Sequence, residues 1–354
     1  MMELKEVKKF SPVLIIAVLV LMAAPGTGAA PADPQGRVLQ LFKQYDLVAI
    51  SEYHGVKEVH EFLQSLVRDH RLASYNVRNI VVEFGNAMYQ DVADRYVFGG
   101  RVPPAEVRKI WRDTTMFLAW DSPLYEEFFR TVREVNLRLP RAKKIRVVLG
   151  DPPIGWELVH TKADYERYAD RDLFYAAVVG REVLNRRQKA LLIAGGIHFL
   201  NEREAKKETP DRKRSAGDLL RRRHPGKLFA FWHTREPVTG QQCDKTCVVV
   251  ARGTRLGSSS FAPFAPKGML VQKLIGGEKR WVPMEDSDWP SVAQMTDGLI
   301  YFGSHLTVVE PPAAIYQDRD YVTELQRRAP ILSEVYGMDF GKQLDEALSG
   351  KDSP

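Results

Sequence analysis

Cysteine is nearly absent. The 354 residues hold two, Cys243 and Cys247, close together in CDKTC. That excludes a disulfide-dense scaffold. A zinc site there would need two further ligands, and His233 is the one nearby candidate, so a small disulfide loop in an oxidising compartment is the preferred reading. Several catalytic signatures are missing too. There is no G-x-S-x-G for a serine nucleophile elbow, and GSSSF (257–261) has its serines in the wrong frame. No phosphate-cradling G-x-x-x-x-G-K-[ST] and no dinucleotide fingerprint occur, and HEFLQ (60–64) lacks the second histidine of a zinc protease helix. Charge of one sign does not dominate: the net charge is +6. The densest basic stretch, Arg203 to Lys227, has no interleaved Phe, Tyr or Trp on which bases could stack. It reads as a solvated loop and helix face, and a nucleic-acid partner is not expected.

The long hydrophobic run near the start is short for a membrane span. Lys5, Lys8 and Lys9 precede PVLIIAVLVLMAA, and the small residues Gly26 to Ala30 follow. This is the layout of a secretory signal peptide over 1–30, with an uncleaved N-terminal anchor as the alternative. The run contains no cysteine, so a bacterial lipoprotein anchor is not expected. The predicted location is periplasmic or secreted, with the first segment meeting a membrane only during export.

What is present is an alternation of short apolar runs with longer amphipathic ones. Strands are expected at 46–51, 79–84, 145–150, 190–195, 228–232, 247–251 and 299–303. The first five are almost continuously apolar, which suits strands covered on both faces. The pattern predicts an α/β fold with a mostly parallel central sheet flanked by helices. Residues 84–143 are too long for one crossover and read as a helical insertion after the second strand, with Pro103 and Pro104 at a helix start. Residues 31–317 form the main domain in this reading. A C-terminal extension, 318–354, reads as two short helices packed outside.

Polar residues gather at the strand ends. Strand one runs into Glu52, Tyr53 and His54, strand two holds Glu83, strand three ends at Asp151, strand four leads through Gly195 and Gly196 to His198, and strand five ends at His233. Parallel strands would bring these groups to one crevice beyond their carboxyl ends. Glu83, inside VVEFG, is costly to bury without a partner. His198 follows two glycines that permit close backbone approach. Asp151 either joins the site or caps the turn before two prolines. His60 either points back to the crevice or packs in the core. Glu58, one turn beyond His54, is placed to bond its imidazole. His233 and His305 read as structural or surface residues.

The segments SEYHGVKEVHEF, VVEFGNAMYQ, RVVLGDPPIGW and AGGIHFLN together resemble the erythromycin esterase/ChaN-like group, which is related to the TraB/Tiki proteins. The resemblance spans about residues 45–200. Glu52 with His54, then Glu83, then Gly195 with His198 match its three motifs, and His60 matches a second histidine of ChaN-like members. Ser51 stands where the group usually has glycine. The esterase branch implies ester or amide hydrolysis, with His54 activating water, Glu52 and Glu83 holding and polarising it, and His198 meeting the oxyanion or leaving group. A small-molecule substrate or ligand would contact Tyr53, Asp151 and His60. The Tiki branch implies a divalent metal, for which His54, Glu83 and His198 are the candidate ligands. The ChaN-like branch implies haem or iron-ligand binding.

Overall fold

The computed structural model describes residues 33–201, 211, 214–238, 246–265, 270–283 and 289–350. The expected signal peptide, Cys243 and most of the basic stretch before residue 214 lie outside the described residues. The described residues make one compact unit.

A seven-stranded sheet forms its centre. The strands are β1 (Leu47–Glu52), β2 (Val77–Asn86), β3 (Arg146–Asp151), β4 (Lys189–Gly195), β5 (Leu228–Thr234), β6 (Cys247–Val250) and β9 (Gly298–Tyr301). Their spatial order is β3-β2-β4-β1-β5-β9-β6. All neighbours are parallel except the edge strand β6, which runs antiparallel to β9. The expected mostly parallel α/β sheet is therefore present. A separate hairpin, β7 (Leu270–Ile275) and β8 (Glu278–Pro283), turns at Gly276 and Gly277, both at positive φ. Cys247 opens β6 and is disulfide-bonded.

Side chains alternate across the strands, so each sheet face has its own core. Val48, Ile50, Ile80 and Val82 meet the helices of the first crossover and of the insertion. Leu47, Ala49, Val81 and Leu192 meet the helices Arg171–Glu182 and Ala216–Arg223. Each fully buried Leu, Val or Phe in these layers contributes roughly 1.5–3 kcal/mol. The insertion supplies three helices, Gln90–Val97, Pro104–Arg112 and Pro123–Arg138, the last two with proline at their start.

After Asp318 come two helices, Arg319–Tyr336 and Phe340–Ser349. The first is not short as expected. It runs 18 residues with Pro330 inside it, and its Ile331 and Leu332 pack against Ile154, Trp156 and Tyr165.

The chain leaves the adjacent strands β1 and β4 toward opposite faces of the sheet. The helix Lys57–Arg68 follows β1 into one core, and the helix Ala216–Arg223 follows β4 into the other. Such a reversal opens a crevice at the carboxyl ends of the two strands. Glu52 and Gly195 are register partners there.

Candidate active site

Glu52 closes β1. Strand alternation aims it to the same face as Val48 and Ile50, where it is buried. Three groups hold it. His54 Nδ1 bonds Oε2, His60 Nε2 lies 2.9 Å from Oε1, and the Tyr125 hydroxyl donates to Oε1 at 3.1 Å. Burial opposes ionisation of Glu52, but the charge and hydrogen bond of His54, with the bond from His60, hold its pKa at about 2. His60 is wholly buried behind the carboxylate. It belongs to the support of Glu52 and does not line the crevice.

Among the described residues His54 is tied at Nδ1 only. Its side chain is 42% exposed, and it lines a cavity of about 470 Å³. Trp120 meets the ring edge-on, with centroids 4.5 Å apart. Burial presses the imidazole toward neutrality, yet the charge and hydrogen bond of Glu52 outweigh it, and Glu83 adds to them, so the pKa rises above 6.5. The expected bond from Glu58 does not form. Glu58 accepts from the Thr307 backbone and hydroxyl at 2.9 and 2.8 Å instead, because the helix start carries it outward to a neighbouring loop.

Glu83 lies on the opposite sheet face, below the helix Arg171–Glu182. Its strand loses regular register with β3 between Val82 and Asn86, a departure that re-aims side chains next to sites. Oε1 accepts from Arg171 at 2.7 Å and lies 3.0 Å from His198 Nε2, while Oε2 accepts the Gly195 N–H at 2.6 Å. Burial raises the carboxyl pKa, but the cations of His198 and Arg171 override it and hold it well below 4.5. His198 is clamped on its other side by Asp172, 2.8 Å from Nδ1. Burial lowers its pKa, and the two carboxylates lift it to about 10. Both ring nitrogens are thus engaged, which makes His198 a support of Glu83.

Asp151 neither caps a turn nor lines the cavity. It is buried, accepts from the Thr115 backbone and hydroxyl at 2.7 and 2.6 Å, and holds Arg171 Nε at 3.1 Å. It therefore ties the insertion to the arginine behind Glu83. Burial dominates the favourable Arg171 and Thr115 contacts and raises its pKa. Arg171 and Asp172, adjacent in DRDLF, are functional neighbours that the sequence reading missed. A charged helix start carries no signal to distinguish them.

His54, Glu52, Glu83, His198 and Tyr53 all line one cavity. Trp232, Phe264, Ile197 and Leu306 make its apolar wall, and the insertion contributes only Met116. Across the floor His54 and Glu83 converge: a Cβ placed on Gly195 would stand 3.4 Å from His54 Nε2 and 3.5 Å from Glu83 Oε2. Divalent-metal binding does not fit this donor set. Among the described residues no group of three His, Cys, Asp or Glu could hold a metal. His198 has neither ring nitrogen left for a metal, since Glu83 holds Nε2 and Asp172 holds Nδ1, and Glu83 Oε1 is taken up by Arg171 and His198.

These features define a doubly wound α/β protein with a histidine–carboxylate cleft at its switch point. No family model and no curated protein matches the chain. Several solved structures are similar at low identity. A succinoglycan biosynthesis protein is 10% identical over 78% of this chain and 92% of its own, with a TM-score of 0.49. The type III effector HopBA1 is 16% identical over 59% and 84%, at 0.37. ChaN of Campylobacter jejuni, a haem-binding protein, is 13% identical over 58% and 87%, at 0.36.

Proposed function

We propose that the chain is a hydrolase that splits an ester or amide by activating water on His54, without a covalent enzyme intermediate. The observation that carries this reading is the half-tied imidazole. Nδ1 is fixed by a buried carboxylate, so the neutral ring presents unprotonated Nε2 to the cavity beside Glu83. A water between them would give a proton to Nε2 as its oxygen attacks the carbonyl carbon, and Glu52 would stabilise the imidazolium. The same proton then passes to the leaving group. The apolar wall suits a substrate with a sizeable acyl or ring portion. The test is turnover of a panel of apolar esters and amides by the parent, His54→Asn and Glu83→Gln. Turnover that survives both substitutions sinks the reading.

A second reading, haem capture, is favoured by Tyr53, which is 44% exposed at the cavity and lies on His233 with ring centroids 5.0 Å apart. A Soret band abolished by Tyr53→Phe, with no ester consumed, would replace the first reading.

Secretion or periplasmic residence belongs to the same proposal. It is supported by the leader-like residues 1–30 and the bonded Cys247. Intact-mass measurement of the exported chain tests it, and protein found only in the cytoplasm refutes it.

A further inference from the structure

We propose that His233 is a catalytic hydrogen-bond donor, a neutral imidazole whose Nε2–H meets the substrate carbonyl oxygen, and that Ser51 is the positioning residue that fixes this tautomer. The inference deepens the hydrolase reading and rests on it for the reaction.

The tautomer follows from hydrogen-bond accounting. Ser51 is fully buried at the end of β1, so water cannot serve its hydroxyl. Its Oγ accepts the backbone N–H of His233 at 2.5 Å. The same Oγ lies 2.8 Å from His233 Nδ1. A serine hydroxyl has one proton to give, and His233 Nδ1 is the ring atom that stands against it. In the tautomer assigned here Nδ1 accepts that proton, and the ring's own proton sits on Nε2. That nitrogen has no partner among the described residues and is not among the buried unpartnered atoms, while the ring lines the cavity.

Two further features hold the donor ready. The ring is sandwiched between Tyr53 and Trp232, at 5.0 and 4.9 Å between centroids and within 14° of parallel, which sets its plane. Burial, with the charge of His54, lowers its pKa to about 4, against the pull of Glu52 and of the Ser51 backbone. The imidazole thus stays neutral while His54 gains and loses its proton, so the two histidines divide the work. Water oxygen bonds the carbonyl carbon and its proton goes to His54. The carbonyl electron pair moves onto oxygen, where the His233 N–H receives it. Collapse then breaks the bond to the leaving group, which takes the proton from His54. A fixed donor aimed at a developing oxyanion is worth about 10²–10³ in kcat.

The experiment uses the full chain and two readouts. Ser51→Ala/His233→Phe keeps a stacked ring and leaves no buried hydroxyl unpaired. With ester substrate its kcat should fall roughly 10²–10³-fold while KM changes little, and His233→Gln, which restores an N–H, should recover part of the loss. An unchanged kcat in the double variant overturns the proposal. Independently, ¹⁵N-histidine NMR of the parent should show His233 as the Nε2–H form, remaining so down to near pH 4, and Ser51→Ala should convert it to a tautomer mixture. If no ester is turned over, the hydrolase reading fails while this spectrum still upholds the donor assignment. An Nδ1–H form, or titration near neutrality, overturns it.

Discussion

Nε2 of His198 lies 3.0 Å from Oε1 of Glu83, with Asp172 on the far side of the ring. The folded protein therefore holds the His198 proton more tightly than the unfolded chain does, with the pKa raised from 6.5 to about 10. The contribution to stability is complete below about 6.5, declines above it, and is gone once the pH passes about 10. Melting temperature should fall over that window. His198→Gln should flatten the fall and cost about 1–3 kcal/mol at neutral pH, because Glu83 loses a charged partner but keeps Arg171. A parent melting curve independent of pH across this range contradicts the clamp.

Arg171 joins Glu83 and Asp151, at 2.7 and 3.1 Å, and both carboxylates are buried. Arg171→Met would leave Asp151 without its cation and Glu83 with His198 alone. Removing one partner of a buried ion pair costs about 3–5 kcal/mol. Urea unfolding should show a midpoint loss of that order, partly recovered by adding Glu83→Gln. A loss below about 1 kcal/mol would mean that the arginine is replaceable by water.

The strands of the main sheet were legible because each is a compact apolar run bounded by turn residues. The predicted and observed ends differ by no more than two residues, as at 79–84 against Val77–Asn86. The hairpin β7–β8 is not legible in the sequence, although its Gly276–Gly277 turn is the ordinary two-residue signal. Its flanks, LVQKLI and EKRWVP, mix charge with apolar residues and show no clean alternation. Within the site, Glu52, His54, Glu83 and His198 stood out because polar residues rarely end apolar runs without reason. Arg171, Asp172 and Tyr125 did not, since a helix face carries such residues routinely and only the tertiary fold delivers them to a carboxylate. His233 looks structural in the sequence because its partner Ser51 stands 182 residues away.

The Glu52–His54 bond makes a kinetic prediction. A base must be neutral, so kcat/KM should rise with pH through the His54 pKa, which Glu52 and Glu83 lift above 6.5. Glu52→Gln removes the larger favourable charge. The acid limb should move to lower pH, and the plateau should fall roughly 10²-fold, within the range for a weakened general base. The pH–rate profiles of parent and variant, measured on one ester, check both effects. A limb that does not move would show that the base is another group.

Gly195 and Gly196 should fail differently when given a side chain. Gly195 has φ −52°, so alanine suits its backbone. Its Cβ, however, would stand 3.2 Å from His54 Cε1 and 3.5 Å from Glu83 Oε2, in the space where an attacking water must sit. Gly195→Ala should leave the melting temperature almost unchanged and lower kcat/KM roughly 10- to 100-fold, the usual effect of displacing a reacting group by up to an ångström. At Gly196 the added Cβ meets Trp232 Cζ3 at 2.4 Å, a packed indole with little room to give. Gly196→Ala should cost about 1–3 kcal/mol of stability by overpacking. Thermal melts and initial rates on the two variants separate the cases. If Gly195→Ala kept full activity, the water could not lie between His54 and Glu83, and the carboxylate would have to act from farther away.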